Sequence, residues 1–525
     1  MPNLTPAEFL QRVSASRHAF PGRTLAVPLC RRIIADQLTP VVAYRRLVAP
    51  DQRTAPSFLL ESVEGGERQG RYSILGSQPA WELTAREGAI TITNHRTGHS
   101  ESSRGDPIAL LRRRLGDITL VETPGLPACF WGGLVGYASY DSVRYGEPGS
   151  LPLARAPRDD RHLPDVSFGL YDGAVVFDHV AGQACVVCVA LVHPGDGPAA
   201  AYDAALACID ARIAQLDRHT EPLRSGVISP ASPGPAPASN MTPEQHAAMV
   251  GRALEFIRAG DVFQVVLGQR FERSSPADPF DVYRALRAVN PSPYMVYMQT
   301  PGCILIASSP EILCRVRREG DSLVVTNRPL AGTRRRGKDP AEDVRLEREL
   351  LADAKERAEH IMLVDLGRND VGVVAQPGTV ALPALMEVER YSHVMHISST
   401  VTGRLRAGLD CWDALRAALP VGTISGAPKI RAMQIIDQLE PVRRGPYGGG
   451  IGYVSLAGDM DIALALRTIV CPTAQRTAAA WTYHLQASGG IVADSVIADE
   501  FQETVHKSAA MARAIDLAER AFSPR

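Results

Sequence analysis

Ser229-Pro-Ala-Ser-Pro-Gly-Pro-Ala-Pro-Ala-Ser239 interrupts the 525-residue chain, and Thr242-Pro-Glu-Gln245 restarts it. Four prolines among small residues make the first stretch an extended linker. The second is a helix start, with Thr242 as N-cap, Pro243 in the first turn and Gln245 completing a capping box. Met249, Val250, Ala253 and Ile257 then give a helical stripe, and Gly260 a stop. Working outward, the chain changes character across this break. Before it, short β-rich runs (Ser57–Glu61, Ala89–Thr93, Gly173–Phe177) alternate with turn clusters, and helical stretches are few, Pro107–Leu115 and Ala199–Gln215 among them. After it, strands and helices are longer and interleaved. We therefore expect an α/β (α+β) protein: a β-rich region over 28–222, a linker over 223–241 and a larger α/β region over 242–525. Each half is long enough for its own core.

Charge and composition exclude several classes. Lys+Arg is 56 and Asp+Glu 57, a net charge of −1, which removes the electrostatic argument for a nucleic-acid or anionic-membrane partner. No apolar run approaches the roughly 18 residues of a membrane span, and Met1–Phe20 lacks the basic-then-apolar order of a signal peptide. Nine scattered cysteines suit a reduced, cytoplasmic protein. Cys185 and Cys188 lie three apart in a β-branched run, so on a strand they point to opposite faces and cannot share a metal.

Most chemically suggestive segments follow the linker. Gly332-x-x-x-x-Gly337-Lys338 matches much of a phosphate-binding loop, but Asp339 stands where a Ser or Thr hydroxyl should meet magnesium. Asp339 reads instead as an N-cap, with Pro340 behind it and Glu342 completing a box, for a helix running to about Leu363. Glu356 and Glu359 are three apart on that helix; Glu500 and Glu503 repeat the spacing on the last one, with Lys507 a turn beyond. Solvated helix surface and a magnesium site both fit, since Mg²⁺ takes one or two carboxylates and leaves room for water and substrate. Arg467 lies in the strand-like Asp461–Val470, sharing a face with Ala463 and Ala465. An anion or a structural acid could pair with it. Glycine-rich Tyr447–Tyr453 and Ala487–Gly490 flank it, readable as tight turns or as a close backbone approach to a ligand. His393 and His396 could form a metal pair, but no Glu accompanies them. Glu61-Ser62 ends a strand, and Asn290-Pro-Ser-Pro-Tyr-Met295 is a stiff turn into another.

Taken together, Gln264-Val-Val-Leu-Gly-Gln-Arg270, Ser309-Pro-Glu311, Arg328-Pro-Leu-Ala-Gly-Thr333, Glu356-Arg-Ala-Glu-His-Ile-Met-Leu-Val-Asp-Leu-Gly-Arg-Asn-Asp370, Ser425-Gly-Ala-Pro-Lys429 and Ala493-Asp-Ser495 resemble the chorismate-utilising enzymes over roughly 242–514. The resemblance implies two β-sheets flanked by helices, with the site in a cleft. It implies Mg²⁺ on Glu359 and Glu503, with Glu356 and Glu500 beside them, and chorismate surrounded by Gly332, Thr333, Tyr447, Arg467, Ser488, Gly489, Gly490 and Lys507. Family members often have Gly-Ala-Gly where this chain has Ser488-Gly489-Gly490. Glu311 would be the acid at the departing C4 hydroxyl, His396 would assist proton loss at C2, and Thr333 and Gln264 would complete the catalytic group.

Within the family, the chain is similar to the ammonia-using branch that makes anthranilate and pyruvate. Its rivals are the 4-amino-4-deoxychorismate synthases, which typically place Lys at the position of Ala331, and the isochorismate synthases, which place Lys at that of Gln264. This branch draws ammonia from a separate glutamine amidotransferase, by default in a heterotetramer of two chains of each kind. Glu61, Ser62, Pro293, Tyr294 and Met295 match its tryptophan feedback site.

Overall fold

Two large β-sheets lie face to face in the computed structural model, which describes residues 2–49, 52–64, 68–218, 222–228, 234–391 and 394–522. One sheet has 13 strands and the other 12. Pairing is antiparallel, except that Thr24–Ile34 runs parallel to Ile118–Leu120. The layers are helix, sheet, sheet, helix. Pro198–Asp217, Pro279–Val289 and Ile497–Phe522 cover the 13-stranded sheet, and Pro107–Gly116, Ala354–Val374 and Cys411–Ala418 cover the other. Between the sheets Phe58, Val187, Met298, Leu305 and Val470 meet Val135, Tyr137 and Ile451. Each such aliphatic side chain contributes about 1.5–3 kcal/mol on burial. Among the described residues no helix is long and apolar enough to cross a membrane.

The break at 223–241 divides the chain but not the sheets. In the 13-stranded sheet Ser57–Glu61 pairs with Tyr294–Thr300; in the other, Gly133–Ala138 pairs with Gly450–Ser455. Both cores therefore mix side chains from the two halves, against the expectation of separate cores. A strand edge left at either seam would expose a row of unpaired backbone groups, and the other half of the chain fills it. Nor does the first region begin at 28. The Pro6–Ala19 helix buries Phe9 against Tyr202, whose hydroxyl donates to the Leu4 carbonyl. Linker residues 229–233 lie outside the described residues.

Local signals place the elements that carry the site. Thr242 and Gln245 form the reciprocal capping box that starts Pro243–Arg258. Asp339 caps Pro340–Ala352 through the Glu342 amide, but the Glu342 carboxylate accepts from Lys338 N, so no box closes there. That helix also stops earlier than its apolar stripe suggests. Asp353 leaves the helical conformation and accepts from the Lys355 and Glu356 amides, which starts a second helix, Ala354–Val374. Glu356 and Glu359 are thereby set in its first two turns.

Candidate active site

Among the short crossovers that carry the chain between the sheets, two hold charged residues of the expected site. Cys303–Ser309 belongs to the 13-stranded sheet and Ile312–Glu319 to the other, so Ser309-Pro310-Glu311 is the first crossover. Met460–Leu464 and Thr468–Pro472 are likewise in different sheets, and Ala465-Leu466-Arg467 joins them. The strand expected through Asp461–Val470 is thus broken, and Arg467 sits at the break with φ of 46°. A left-handed conformation costs a non-glycine residue about 1–2 kcal/mol, held here by packing on both sides. The crossovers are tied together: Leu464 N donates to Glu311 O at 3.0 Å, and Ser308 N to Arg467 O at 3.2 Å.

Glu311 is 3% exposed, and among the described residues its carboxylate accepts one hydrogen bond, from the Thr423 hydroxyl at 3.1 Å. Burial, opposed by that bond, pushes its carboxyl up to about 8. It is a protonated acid at neutral pH. Arg467 is half-buried, and desolvation lowers its pKa; among the described residues no carboxylate lies within ion-pair distance of it. It lines a small cavity with Asn290, Ser292, Pro310, Tyr391 and His396. A half-buried guanidinium with no carboxylate beside it among the described residues is the feature expected of an anion site.

His396 lies on Val394–Arg404, in register with Thr333 on Leu330–Arg335. Its Nδ1 is 3.0 Å from Gly332 O and 3.0 Å from Thr333 Oγ1. A carbonyl only accepts, so the proton is assigned to Nδ1 and the Nε2 lone pair is free. Burial, reinforced by Arg467, holds the ring at about 4, and it is therefore neutral. Gly332 has φ of 68°, and a Cβ there would sit 3.3 Å from Glu356 Oε2. Only glycine allows this strand to bend against the acids. His393 lies outside the described residues.

Acids from the two helices converge. Glu359 accepts from Gln264 Nε2 at 3.4 Å, while Glu503 pairs with Lys507 at 2.5 Å. Lys507 also donates to Ser488 O at 3.0 Å, and Ser488 Oγ is 2.7 Å from the Tyr447 hydroxyl. Glu500 Oε2 is buried without a partner. A Cβ on Gly489 would sit 2.7 Å from it, so the missing side chain makes room for this carboxylate. Burial and then Glu356 raise the Glu359 pKa, and burial, together with Glu503, raises that of Glu500. Among the described residues no group of three His, Cys, Asp or Glu is arranged to hold a metal unaided. The all-oxygen donors, their mutual repulsion and the orphaned Glu500 Oε2 nevertheless suit a hard cation that keeps waters. Ala487–Gly490, readable as a turn, is strand: it belongs to Trp481–Ile491, and Gly490 opposes Val266.

A second cavity, of 680 Å³, lies where the two sheet seams face each other. Glu61, Ser62, Pro293, Tyr294 and Met295 all line it, with Met295 directly opposite Glu61 across paired strands. Its polar groups are fixed from behind. Tyr283 and Arg287 donate to Glu61 at 2.6 and 3.1 Å, and Tyr294 and Arg315 to Asp461 at 2.8 and 2.9 Å.

The structure thus gathers Gln264, Gly332, Thr333, His396, Arg467, Tyr447, Ser488, Gly489, Gly490, Lys507 and the four acids around one cleft. Pro310 lines the small cavity of Arg467 and His396, and the Glu311 side chain is buried next to it against Thr423. Sequence reading missed Thr423 and Tyr391. Thr423 holds Glu311, while Tyr391 packs edge-on against His396 at 5.7 Å. Neither carries a charge or lies in a recognisable spacing.

A family profile described as chorismate binding enzyme matches residues 55–513. The chain is 53% identical to anthranilate synthase alpha subunit 1, chloroplastic, of Oryza sativa subsp. japonica, over 94% of this chain and 89% of that one. Identity to anthranilate synthase component 1 of Pseudomonas aeruginosa is 45%, covering 94% and 96%. The crystal structure of anthranilate synthase component I from Streptococcus pneumoniae TIGR4 superposes with a TM-score of 0.70 at 34% identity, covering 92% of this chain and 99% of that one.

Proposed function

We propose how this chain, which belongs to the chorismate-binding enzyme family and is an anthranilate synthase large subunit, turns chorismate into anthranilate. Chorismate is a dianion with a poor leaving group at C4. Arg467 takes one carboxylate, and Ser488, Gly489, Gly490 and the Tyr447 hydroxyl frame the ring. Glu311, protonated at neutral pH, donates to the departing C4 hydroxyl. Ammonia adds at C2, giving 2-amino-2-deoxyisochorismate. His396 Nε2 then accepts the C2 proton as pyruvate leaves. Aromatisation drives that step, so a weak, neutral imidazole suffices, and Thr333 with Gly332 O keeps its lone pair directed. Glu359 and Glu503, with Glu356 and Glu500 beside them, would hold Mg²⁺. Bound there, it supplies the positive charge that orients the second carboxylate and draws electron density from the ring.

The observation that carries this reading is the buried acid Glu311 on a crossover tied to that of Arg467, which has no carboxylate partner among the described residues. Protein, chorismate, Mg²⁺ and ammonium should together generate anthranilate fluorescence; no fluorescence with ammonium in excess would refute the reading. In the assembly a glutamine amidotransferase chain supplies the ammonia, in a heterotetramer of two chains of each kind.

Regiochemistry rests on Ala331. It lies on Leu330–Arg335 beside Gly332, and no lysine occurs in 327–337. A lysine there could attack C2 and divert the amine to C4; a methyl group leaves C2 open. Gln264 cannot take a proton from water either. We expect C2 amination, no covalent enzyme–substrate adduct and no steady release of isochorismate. Mass spectrometry of protein quenched during turnover, with product analysis, checks this. A substrate-sized mass increase or a 4-amino product would contradict it.

The 680 Å³ cavity is the tryptophan feedback site in this reading. Glu61, with Tyr283 and Arg287 behind it, offers a carboxylate to the ligand's ammonium, and the effector acts only through its unequal affinity for two arrangements. Ser62→Arg should fill the cavity, raise the half-inhibiting tryptophan concentration by about tenfold or more, for a loss of about 1.4 kcal/mol or more, and leave uninhibited turnover nearly unchanged. An unshifted inhibition curve would place the effector elsewhere.

A further inference from the structure

The nine cysteines are all free thiols, and four of them meet in pairs across one strand. Cys185 and Cys188 on Gln183–Val192 point to opposite faces, Cys185 into the layer between the sheets and Cys188 into the layer under the helices. Neither reaches the other, but each meets a thiol on its own side. Cys185 shares a core cluster with Cys30, diagonally across from it on Thr24–Ile34. Cys208, on the Pro198–Asp217 helix, packs against the same core cluster that holds Cys188.

The backbone fixes the second pair independently of the sulfurs. Arg212 is one turn beyond Cys208 on the same helix face, and its Nη1 donates to Val187 O at 2.9 Å, one residue from Cys188. Gly173 lets the helix sit this close: a Cβ there would be 2.1 Å from Val187 O, 2.7 Å from Arg212 Nη1 and 2.9 Å from Cys188 Cα. The two pairs differ in access. Cys30 and Cys185 are both buried, whereas Cys208 is half-buried beside a fully buried Cys188. The Cys188 contact, with Arg212 and Arg96, favours the Cys208 thiolate against the effect of burial. A reachable thiolate next to a second thiol is the arrangement of a reactive cysteine with its resolving partner.

We propose that Cys208 is a modification site for small disulfides and that Cys188 resolves the adduct, leaving a Cys188–Cys208 disulfide that clamps the helix to the sheet. The Cys208 thiolate attacks one sulfur of the small disulfide and expels one thiolate. Cys188 then loses its proton, attacks Cys208 Sγ and expels the second. Two protein thiols are oxidised, and the small disulfide is reduced to two thiols.

The test is to incubate the folded full chain with oxidised glutathione, alkylate the remaining thiols and weigh the protein. Two of nine thiols should be lost without retained glutathione, peptide mapping should link Cys188 to Cys208, and dithiothreitol should restore nine. Cys188→Ala should stop at one glutathione on Cys208, and Cys208→Ser should remain unmodified. If either variant fails to fold, the wild-type thiol count and peptide map decide alone. Nine thiols persisting in folded wild-type protein, while the denatured chain reacts, would overturn the proposal. So would a different linked pair, such as Cys30 with Cys185.

Discussion

Glu311→Gln is expected to lower kcat by about 10²–10⁴-fold, the usual contribution of a positioned general acid. The substitution keeps shape and the Thr423 hydrogen bond but removes the proton. Chorismate binding should be nearly unchanged, because the loss falls on the transition state, where the departing C4 oxygen gains negative charge. Wild-type turnover should carry an alkaline limb set by this residue. Burial raises the carboxyl to about 8, the active form is protonated, and activity therefore declines as pH rises through that value. In Glu311→Gln the limb should vanish along with the rate. Stopped-flow and steady-state pH profiles, with chorismate binding measured alongside, separate the effects. A variant with wild-type kcat, or one whose entire deficit is in KM, would remove Glu311 from the acid role.

How far this site was legible depends on the kind of signal each residue leaves. Caps are local, and Thr242 with Gln245 could be read from four residues. Face alternation is nearly as local, and it separated Cys185 from Cys188 correctly. Arg467 shows where such signals stop. Asp461–Val470 alternates as a strand does, yet the chain changes sheets at Ala465-Leu466-Arg467. Alternation reports burial on two faces and carries no information about which sheet a residue joins. The linker misleads for a related reason. Proline and small residues mark extended chain, but one of the two partners of Ser57–Glu61 lies more than 200 residues away, at Tyr294–Thr300. Sheet pairing across the break is set by tertiary packing, which no window of sequence contains. Resemblance supplied what local patterns lacked, because co-linear segments were matched as a set.

The acids on the two helices lead to the second large effect. Glu359→Gln and Glu503→Gln are each expected to lose turnover at ordinary Mg²⁺, by about 10²–10³-fold for one electrostatic stabiliser removed. Activity alone would not separate metal binding from a general disturbance, and the geometry supplies a second readout. Glu359 and Glu500 are pushed up by burial and by neighbouring carboxylates, with Lys507 and Lys355 the opposing charges. In the absence of a divalent cation the cluster is repulsive, so neutralising one member should leave thermal stability equal or higher. Magnesium should raise the melting temperature of the wild type, since a ligand bound by the folded state alone stabilises it as RT ln(1 + [L]/Kd). Both variants should lose most of that rise. Glu503→Gln also releases Lys507 from its 2.5 Å pair, so Lys507→Met is the control: it loses that same pair together with the contact to Ser488 O, but keeps both acids and should retain the magnesium-dependent rise. Full turnover of Glu359→Gln and Glu503→Gln in the presence of EDTA, or an undiminished magnesium shift in both, would take the cation away from these two helices.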